Sequence, residues 1–178
     1  MLLKGSKTEK NLMEAFAGES MARNKYTFYA SKARKDGYEQ IAAIFEETAK
    51  NEKEHAELWY KAVHDGIADS FNNLIEAAAG EHGEWAEMYK NFAEVAKEEG
   101  FTKLAAQLAG VASIEKQHEA RYLKLAENIK DDKVFDKDEN VKWHCSNCGY
   151  SFVGQSAPIK CPVCDHPRAY FQVKPENY

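Results

Sequence analysis

Apolar residues recur at three- and four-residue spacing from about Thr8 to Lys130, and no proline interrupts this stretch. That period is typical of amphipathic helices. Polar breaks that contain glycine fall at Asp36-Gly37, at Asp65-Gly66 and at Glu98-Glu99-Gly100. The pattern therefore predicts four helices of about 28 residues, joined by short turns and packed antiparallel as an all-α four-helix bundle.

Three helix starts can be read from the residues that precede the apolar runs. Ser6 with Glu9 three residues later resembles a capping box, in which each residue satisfies a free backbone N–H of the first turn. Ser70 and Thr102 are plausible starts for the third and fourth helices.

The two halves of the helical region resemble each other, which indicates a duplicated hairpin. Phe16–Glu19 aligns with Ala78–Glu81 at an offset of 62 residues, and Glu52–His55 aligns with Glu115–His118 at an offset of 63. We expect the one extra residue of the second half near its inter-helix turn. Each half is then a helix with one Glu, followed by a helix with Glu-x-x-His.

This duplicated pattern predicts a site for two metal ions. Residues three apart share one face of a helix, so each Glu-x-x-His can offer a carboxylate and an imidazole to a common ion. A lone Glu-x-x-His is more commonly a solvated pair, but two copies at matched positions favour metal binding. One Glu from each of two helices with Glu-x-x-His from the other two is the pattern of ferritin-like di-iron proteins. The candidate ligands are Glu19, Glu52, His55, Glu81, Glu115 and His118.

Glu84 breaks the symmetry of the two halves. It lies one helical turn after Glu81, where the first half has Ala22, so its carboxylate can face the same site. Tyr26 and Tyr89 lie close to the ligand-bearing faces and can donate hydrogen bonds to the ligand carboxylates. Packing in the helical core is an equally good explanation for either tyrosine.

All four cysteines lie near the end of the chain, as Cys145-x-x-Cys148 and Cys161-x-x-Cys164. Two such pairs bind one tetrahedral ion, either Zn or Fe, and a segment of about 40 residues needs that ion to fold. Their spacing does not decide between a structural zinc ribbon and a one-electron iron carrier. Gly149 allows the backbone to turn so that amide N–H groups approach the sulfurs.

The charged run from Lys130 to Asn140 is interpreted as a solvated linker. We therefore expect a helical domain at residues 1–137 and a small metal-bound β/loop domain at residues 138–178. The net charge of −5 argues against nucleic-acid binding, and no apolar run is long enough for a membrane span. Paired cysteines without a signal segment favour a cytoplasmic protein.

Taken together, these motifs resemble the rubrerythrin family over almost the whole chain. The resemblance rests on Glu81-x-x-Glu84, on the matched Glu and Glu-x-x-His residues of the two halves, and on the tail around Trp143-His-Cys145. The tail is similar to a rubredoxin-like domain, although Asp165 stands where free rubredoxins have Gly. The resemblance implies iron in both sites, with zinc as a possible substitute in the cysteine site.

The resemblance also implies a function. Rubrerythrins reduce hydrogen peroxide to water in defence against oxidative stress, with electrons from NAD(P)H delivered through rubredoxin or a rubredoxin reductase. By resemblance, Glu52 and Glu115 bridge the irons, and one iron exchanges His55 for Glu84 on oxidation. A homodimer or larger homo-oligomer is expected, with no membrane and no nucleic-acid partner.

Two other classes of function stay open at this point. A ferritin-like bundle can oxidise Fe(II) for storage, although the predicted electron-carrying tail has no use in that task. A structural helical bundle with a zinc ribbon would be an interaction module and no enzyme. A visible spectrum identifies the zinc-ribbon class, because iron bound by four cysteines is red and zinc is colourless. Steady-state assays with peroxide and a rubredoxin reductase separate the iron-oxidising class from the peroxidase.

Overall fold

The computed structural model describes residues 2–176. It divides into two compact units, whose boundary in the chain falls between Ala68 and Asp69. The first unit is a helical hairpin, and the second is a helical hairpin followed by a small sheet that carries all four cysteines. This order confirms the predicted fold class of four helices followed by a small metal-binding domain. Within residues 2–176, no helix combines the length and the apolar character needed to cross a membrane.

The first hairpin consists of α1 (Lys7–Lys35) and α2 (Glu39–His64). The cap at Ser6 is confirmed, because the N–H of Glu9 donates to Ser6 Oγ at 3.1 Å. The return bond of the predicted capping box is shifted by one residue, because the Glu9 carboxylate accepts the N–H of Gly5 and the N–H of Ser6 donates to the carbonyl of Leu3. A three-residue turn at 36–38 joins the helices, with Gly37 at φ 86°. Because that φ lies in the left-handed region, glycine is the residue best suited to end α1 there.

The interior of the first hairpin is made of small side chains. From residue 2 to residue 68, the buried residues are all alanine: Ala30, Ala33, Ala42, Ala49 and Ala56. Larger apolar residues stay accessible, since Phe28 is 66% exposed, Ile44 is 56% and Leu58 is 57%. Two helices alone therefore bury little apolar surface in this unit, although burial of such surface is the main source of helix stability in proteins.

The second hairpin begins at Asp69, whose carboxylate caps the first helix by accepting the N–H of Asn72 at 3.0 Å. Its first helical segment runs from Ser70 to Glu98, and one turn of π-helix interrupts it. Its elements are α3 (Ser70–Gly83), the π turn (Glu84–Met88), α4 (Tyr89–Glu98) and α5 (Thr102–Lys130). The predicted starts at Ser70 and Thr102 are confirmed.

The π turn accounts for the extra residue of the second half of the repeat. In this turn the N–H of Tyr89 donates to the carbonyl oxygen of Glu84, five residues earlier, whereas α1 is α-helical throughout. The connecting turns of the two hairpins, at 36–38 and 99–101, have the same length. Our expectation that the extra residue lies near the inter-helix turn is therefore wrong. It is accommodated inside the helix, beside Glu81.

The small sheet has three antiparallel strands in the order β2-β1-β3. They are β1 (Asp136–Cys145), β2 (Ser151–Ser156) and β3 (Phe171–Val173). Trp143 is fully buried between them and donates from Nε1 to the carbonyl of Gly154 at 3.1 Å. The charged run interpreted as a linker is strand from Asp136 onward, which leaves residues 131–135 as the connection. The domain boundary after residue 137 stays a prediction.

The cap of α3 gives a pH dependence that can be measured. The pKa of Asp69 is lowered, chiefly because its carboxylate accepts the backbone N–H and then the side-chain amide of Asn72. A carboxylate with a lowered pKa contributes stability above its ordinary pKa, and this is lost as the pH falls through the lowered value. Asp69→Asn caps equally well but does not titrate. We therefore expect the melting temperature of Asp69→Asn to fall less than that of the wild type below about pH 4. Parallel curves for the two proteins would contradict this.

Candidate metal centres

The first hairpin brings one carboxylate from α1 next to the Glu-x-x-His of α2. His55 Nδ1 lies 2.8 Å from Glu52 Oε2 and 3.8 Å from Glu19 Oε1. The three residues form a group that could hold a metal ion, with all ligand atoms within 4.8 Å of one another. The side chain of Glu52 is only 16% exposed, so its charge lies at the edge of the hairpin's interior.

The second hairpin repeats this arrangement almost atom for atom. His118 Nδ1 lies 2.6 Å from Glu115 Oε2 and 3.7 Å from Glu81 Oε2. Glu115 is 15% exposed. The duplicated sequence thus gives two clusters of the same geometry, one in each unit, each with two carboxylates and one imidazole that presents Nδ1.

The distances within each cluster fit the ligands of one metal ion. Around an ion with bonds of about 2.1 Å, neighbouring ligand atoms lie about 3.0 Å apart at 90° and about 3.6 Å apart at 120°. The separations between Nδ1 and the carboxylate oxygens are 2.6 and 2.8 Å within each Glu-x-x-His and 3.7 and 3.8 Å to the Glu of the other helix, so each lies within about 0.4 Å of these values. Carboxylate oxygen and imidazole nitrogen are donors that suit Fe(II), and each cluster leaves coordination positions open.

Glu84 acts electrostatically on the second cluster. The pKa of Glu81 is raised, first by burial and then by the negative charge of Glu115; His118 partly opposes this, and Glu84 adds to it. A raised carboxylate pKa means that the ionised form lacks sufficient positive partners, and a bound cation supplies them. Glu84 is half-buried and occupies the first position of the π turn. Glu84 was predicted to face the site of Glu81, and in the structure its negative charge does act on the Glu81 carboxylate.

The two tyrosines are half-buried in aromatic surroundings. The ring of Tyr26 lies 6.0 Å from that of Phe45 and 6.3 Å from that of Tyr29, between centroids. The ring of Tyr89 contacts Phe92 edge-on at 6.5 Å. Packing accounts for these positions, and the hydrogen bonds from the tyrosines to the ligand carboxylates stay predictions.

Sequence reasoning missed one polar group beside the second cluster. Glu119 follows His118 and accepts from the indole N–H of Trp85, and its Oε1 lies 3.0 Å from His82 Nδ1. The hydrogen bond from Trp85 is the main cause of the lowered pKa of Glu119. His82 therefore pairs with a carboxylate outside the metal-binding group. In the sequence, the one sign of this polar group is that Trp85 lies four residues after the predicted ligand Glu81.

The four cysteine sulfurs form a tetrahedron of the size that one ion requires. Cys145 Sγ lies 3.8 Å from Cys164 Sγ, and Cys148 Sγ lies 3.7 Å from Cys161 Sγ. Metal–sulfur bonds of about 2.3 Å in tetrahedral geometry put the sulfurs about 3.8 Å apart. The two cysteine pairs predicted from the sequence therefore form a site that fits an ion without rearrangement.

The two cysteine pairs share one backbone design. In the first, the N–H of Gly149 donates to the carbonyl of Cys145 at 2.9 Å; in the second, the N–H of Asp165 donates to that of Cys161 at 3.0 Å. Gly149 has φ 82° and Asp165 has φ 62°, so both stand in the left-handed region. Asp tolerates this conformation better than most residues with a side chain, which explains how it can replace the usual glycine.

These turns aim backbone N–H groups at the outer sulfurs. The N–H of His166 is the main cause of the lowered pKa of Cys164, which is about 6. The N–H of Tyr150 also lowers the pKa of Cys148, but desolvation and hydrogen bonds to the other three thiols outweigh it and raise this pKa to about 12. One thiolate thus forms easily among the free thiols, and a cation is needed to ionise the rest.

The helical part of the chain carries clusters of carboxylates and histidine, and a four-cysteine cluster follows it. This combination defines the class of non-haem iron oxidoreductases with a rubredoxin-like domain. A family model described as rubrerythrin matches residues 10–126, and one described as the rubredoxin-like domain of rubrerythrin matches residues 143–172. The chain belongs to the rubrerythrin family. The family resemblance is confirmed, and iron is the metal of both kinds of site.

Individual relatives are similar over nearly their whole length. Rubrerythrin-1 of Clostridium acetobutylicum is 48% identical over 192 aligned positions, covering 99% of this chain and 98% of that protein. The rubrerythrin of Porphyromonas gingivalis is 48% identical over 188 positions, covering 99% and 94%. Since 99% of 178 residues is about 176, about 16 of the 192 positions have no residue in this chain.

The left-handed turn at Gly149 can be tested by two substitutions at one position. A Cβ at Gly149 meets no atom within 4 Å, so the cost of a side chain comes from the backbone alone. We expect Gly149→Val to destabilise the iron-loaded domain by about 1–2 kcal/mol, and Gly149→Asn to cost clearly less, because Asn adopts positive φ. Loss of the visible absorption of the cysteine-bound iron with increasing urea measures both. Equal midpoints for the two variants would show that the turn is not constrained.

Proposed function

We propose that this protein reduces hydrogen peroxide to water in defence against oxidative stress, with electrons delivered through its cysteine-bound iron. The observation that carries the proposal is the presence in one chain of duplicated carboxylate–histidine clusters and a sulfur tetrahedron sized for iron. Reduction of H2O2 to two H2O takes up two electrons and two protons. A di-iron site held by these clusters would supply the electrons and polarise the oxygens of the peroxide, and the cysteine-bound iron would restore the electrons one at a time.

The two clusters supply the ligands of the di-iron site in this proposal. Each histidine would bind one iron through the Nδ1 atom that already faces the carboxylates. Glu52 and Glu115 are the least exposed carboxylates of the two clusters and would be shared between the ions, while Glu19 and Glu81 would each bind one ion. A shared carboxylate would neutralise two cations at once, which suits the positions with the least access to water.

Glu84 has the role of an exchangeable ligand in this mechanism. It would take the place of His55 when the iron is oxidised, because an anionic oxygen stabilises the higher charge better than a neutral imidazole does. Its place at the start of the π turn supports this role, since its negative charge acts on the Glu81 carboxylate one helical turn earlier. Tyr26 and Tyr89 act as hydrogen-bond donors that orient the ligand carboxylates.

Electrons enter through the cysteine domain. Cys148 is exposed and Cys164 is partly so, while Cys145 and Cys161 are buried, so one edge of the tetrahedron faces the surface. A rubredoxin or an NAD(P)H-dependent rubredoxin reductase is the proposed donor at this edge. We place the protein in the cytoplasm, where a reducing environment keeps the four thiols available for iron.

Oxidation of Fe(II) with O2 is the rival function, and steady-state kinetics separates the two. With NADH and a rubredoxin reductase present, the proposed peroxidase consumes NADH when peroxide is added. A protein that only oxidises iron consumes added Fe(II) and O2 but does not couple NADH to peroxide. Absence of peroxide-dependent NADH oxidation in protein with full iron content at both sites would refute the proposal.

The exchangeable carboxylate gives the sharpest mutational test. We expect Glu84→Ala to lower peroxide turnover at least tenfold, a loss of about 1.4 kcal/mol in transition-state stabilisation, while both irons stay bound. Glu87→Ala is the matched control, because Glu87 lies in the same π turn but is exposed. Stopped-flow kinetics with reduced protein measures the rates, and metal analysis measures the iron. Equal rates in the two variants would remove Glu84 from the mechanism.

A further inference from the structure

A set of polar contacts in the second hairpin joins the π turn to α5. Trp85, the second residue of the π turn, donates its indole N–H to Glu119 of α5. The other carboxylate oxygen of Glu119 lies 3.0 Å from His82 Nδ1. The ammonium group of Lys116 lies over the Trp85 ring, 5.0 Å from its centroid, which adds a cation–π attraction. These side chains therefore hold the start of the π turn against the neighbouring helix.

Glu119 is an unusual residue for its position in α5. Its side chain is only 18% exposed, and withdrawal of a carboxylate from water costs free energy unless hydrogen bonds replace the lost solvent. The indole N–H supplies such a bond, and it is the main cause of the lowered pKa of Glu119. Hydrogen bonds to an ionised group are stronger than those between neutral groups. The contact is therefore suited to fixing the position of the indole.

The first hairpin shows the same pair of helices without this contact. At the offset of 63 residues Glu119 corresponds to Ala56, which is buried, and at the offset of 62 Trp85 corresponds to Arg23. An alanine side chain cannot accept a hydrogen bond, so the first hairpin has no equivalent of the bond from Trp85 to Glu119. Its helix α1 is α-helical from end to end. The hairpin with the π turn is thus the hairpin with the tryptophan–glutamate pair.

A π turn needs side-chain contacts to fix its place in a helix. Its backbone hydrogen bonds span five residues at any point where one residue is extra, so the backbone alone does not select the location. If the wider turn moved along the helix, the side chains between the old and the new location would change direction. Trp85 lies inside the turn and is bonded to a different helix, so such a move would break its hydrogen bond to Glu119.

We infer that Trp85 and Glu119 are positioning residues, whose hydrogen bond holds the π turn in place and keeps Glu84 directed at the second metal cluster. Glu84 directly precedes Trp85, and its negative charge acts on the Glu81 carboxylate. The indole and the carboxylate of Glu119 touch neither metal nor peroxide in this account. The consequence for Glu84 as an iron ligand rests on the proposed function, whereas the hold on the turn does not.

Hydrogen exchange of the iron-loaded protein measures this hold directly. In the π turn the N–H of Tyr89 donates to the carbonyl oxygen of Glu84, and mass spectrometry of the peptide that covers residues 84–89 follows its exchange. Trp85→Phe keeps an aromatic ring but removes the indole N–H, and Glu119→Ala removes the acceptor but keeps the indole. We expect exchange of this peptide about tenfold faster in each variant, because a hydrogen bond to a charged group is lost. The double variant should exchange no faster than either single variant, since all three lose the same contact.

Two control variants separate this hold from a general loss of stability. Glu119→Gln keeps an acceptor oxygen, so the exchange of the turn should stay within about twofold of the wild type. Trp59→Phe removes a buried indole N–H that has no hydrogen-bond partner in the part of the chain that the structure describes, and it should leave the turn unchanged. Wild-type exchange in Trp85→Phe, equal acceleration in Glu119→Gln and Glu119→Ala, or faster exchange along the whole of α4 and α5 would each overturn the inference.

Peroxide turnover then tests whether the hold acts through Glu84. We expect Trp85→Phe to lower turnover in the otherwise unaltered protein and to cause no further loss in Glu84→Ala, with both irons retained in metal analysis. An equal loss in the two backgrounds would show that Trp85 does not act through Glu84 and would contradict the inference. If the protein lacks peroxidase activity altogether, the proposed function fails, and hydrogen exchange still decides whether the contact holds the turn.

Discussion

Repulsion between carboxylates brought close together is the constraint on which the helical part of this protein depends. Each cluster sets two partly buried carboxylates beside one imidazole, and burial with neighbouring negative charge raises the pKa of Glu81. Without a cation, Glu81 favours its protonated form. A bound iron ion would supply the positive charge that this cluster lacks. The requirement for a cation at the second cluster thus follows from the packing of its own carboxylates.

The parts of the fold set by local rules could be predicted from the sequence. The capping box at Ser6, the glycine turn at Gly37 and the helical period all depend on residues within one or two turns. The ligand clusters could be predicted because three-residue spacing and duplication fix them jointly. The strand that begins at Asp136 could not, since its charged residues look solvated until pairing with β2 is known.

One further feature, the π turn in the second hairpin, was hidden for a different physical reason. A π turn has no composition of its own, so the sequence shows only that one residue is extra, and not where it goes. In the cysteine domain, by contrast, Asp165 could be located by analogy with Gly149, since both turns serve the same backbone geometry.

The π turn at Glu84 confines the difference between the two hairpins to one turn of one helix. A π turn takes up one extra residue within the helix, because its hydrogen bonds span five residues where those of an α-helix span four. Deleting that residue would return the turn to α-helix, as in α1, and would change chiefly the direction of Glu84 and its neighbours. The packing of α4 against α5 could then persist while the carboxylate of Glu84 turned away from Glu81. One extra residue thus sets the direction of a single functional side chain without redesign of the hairpin that carries it.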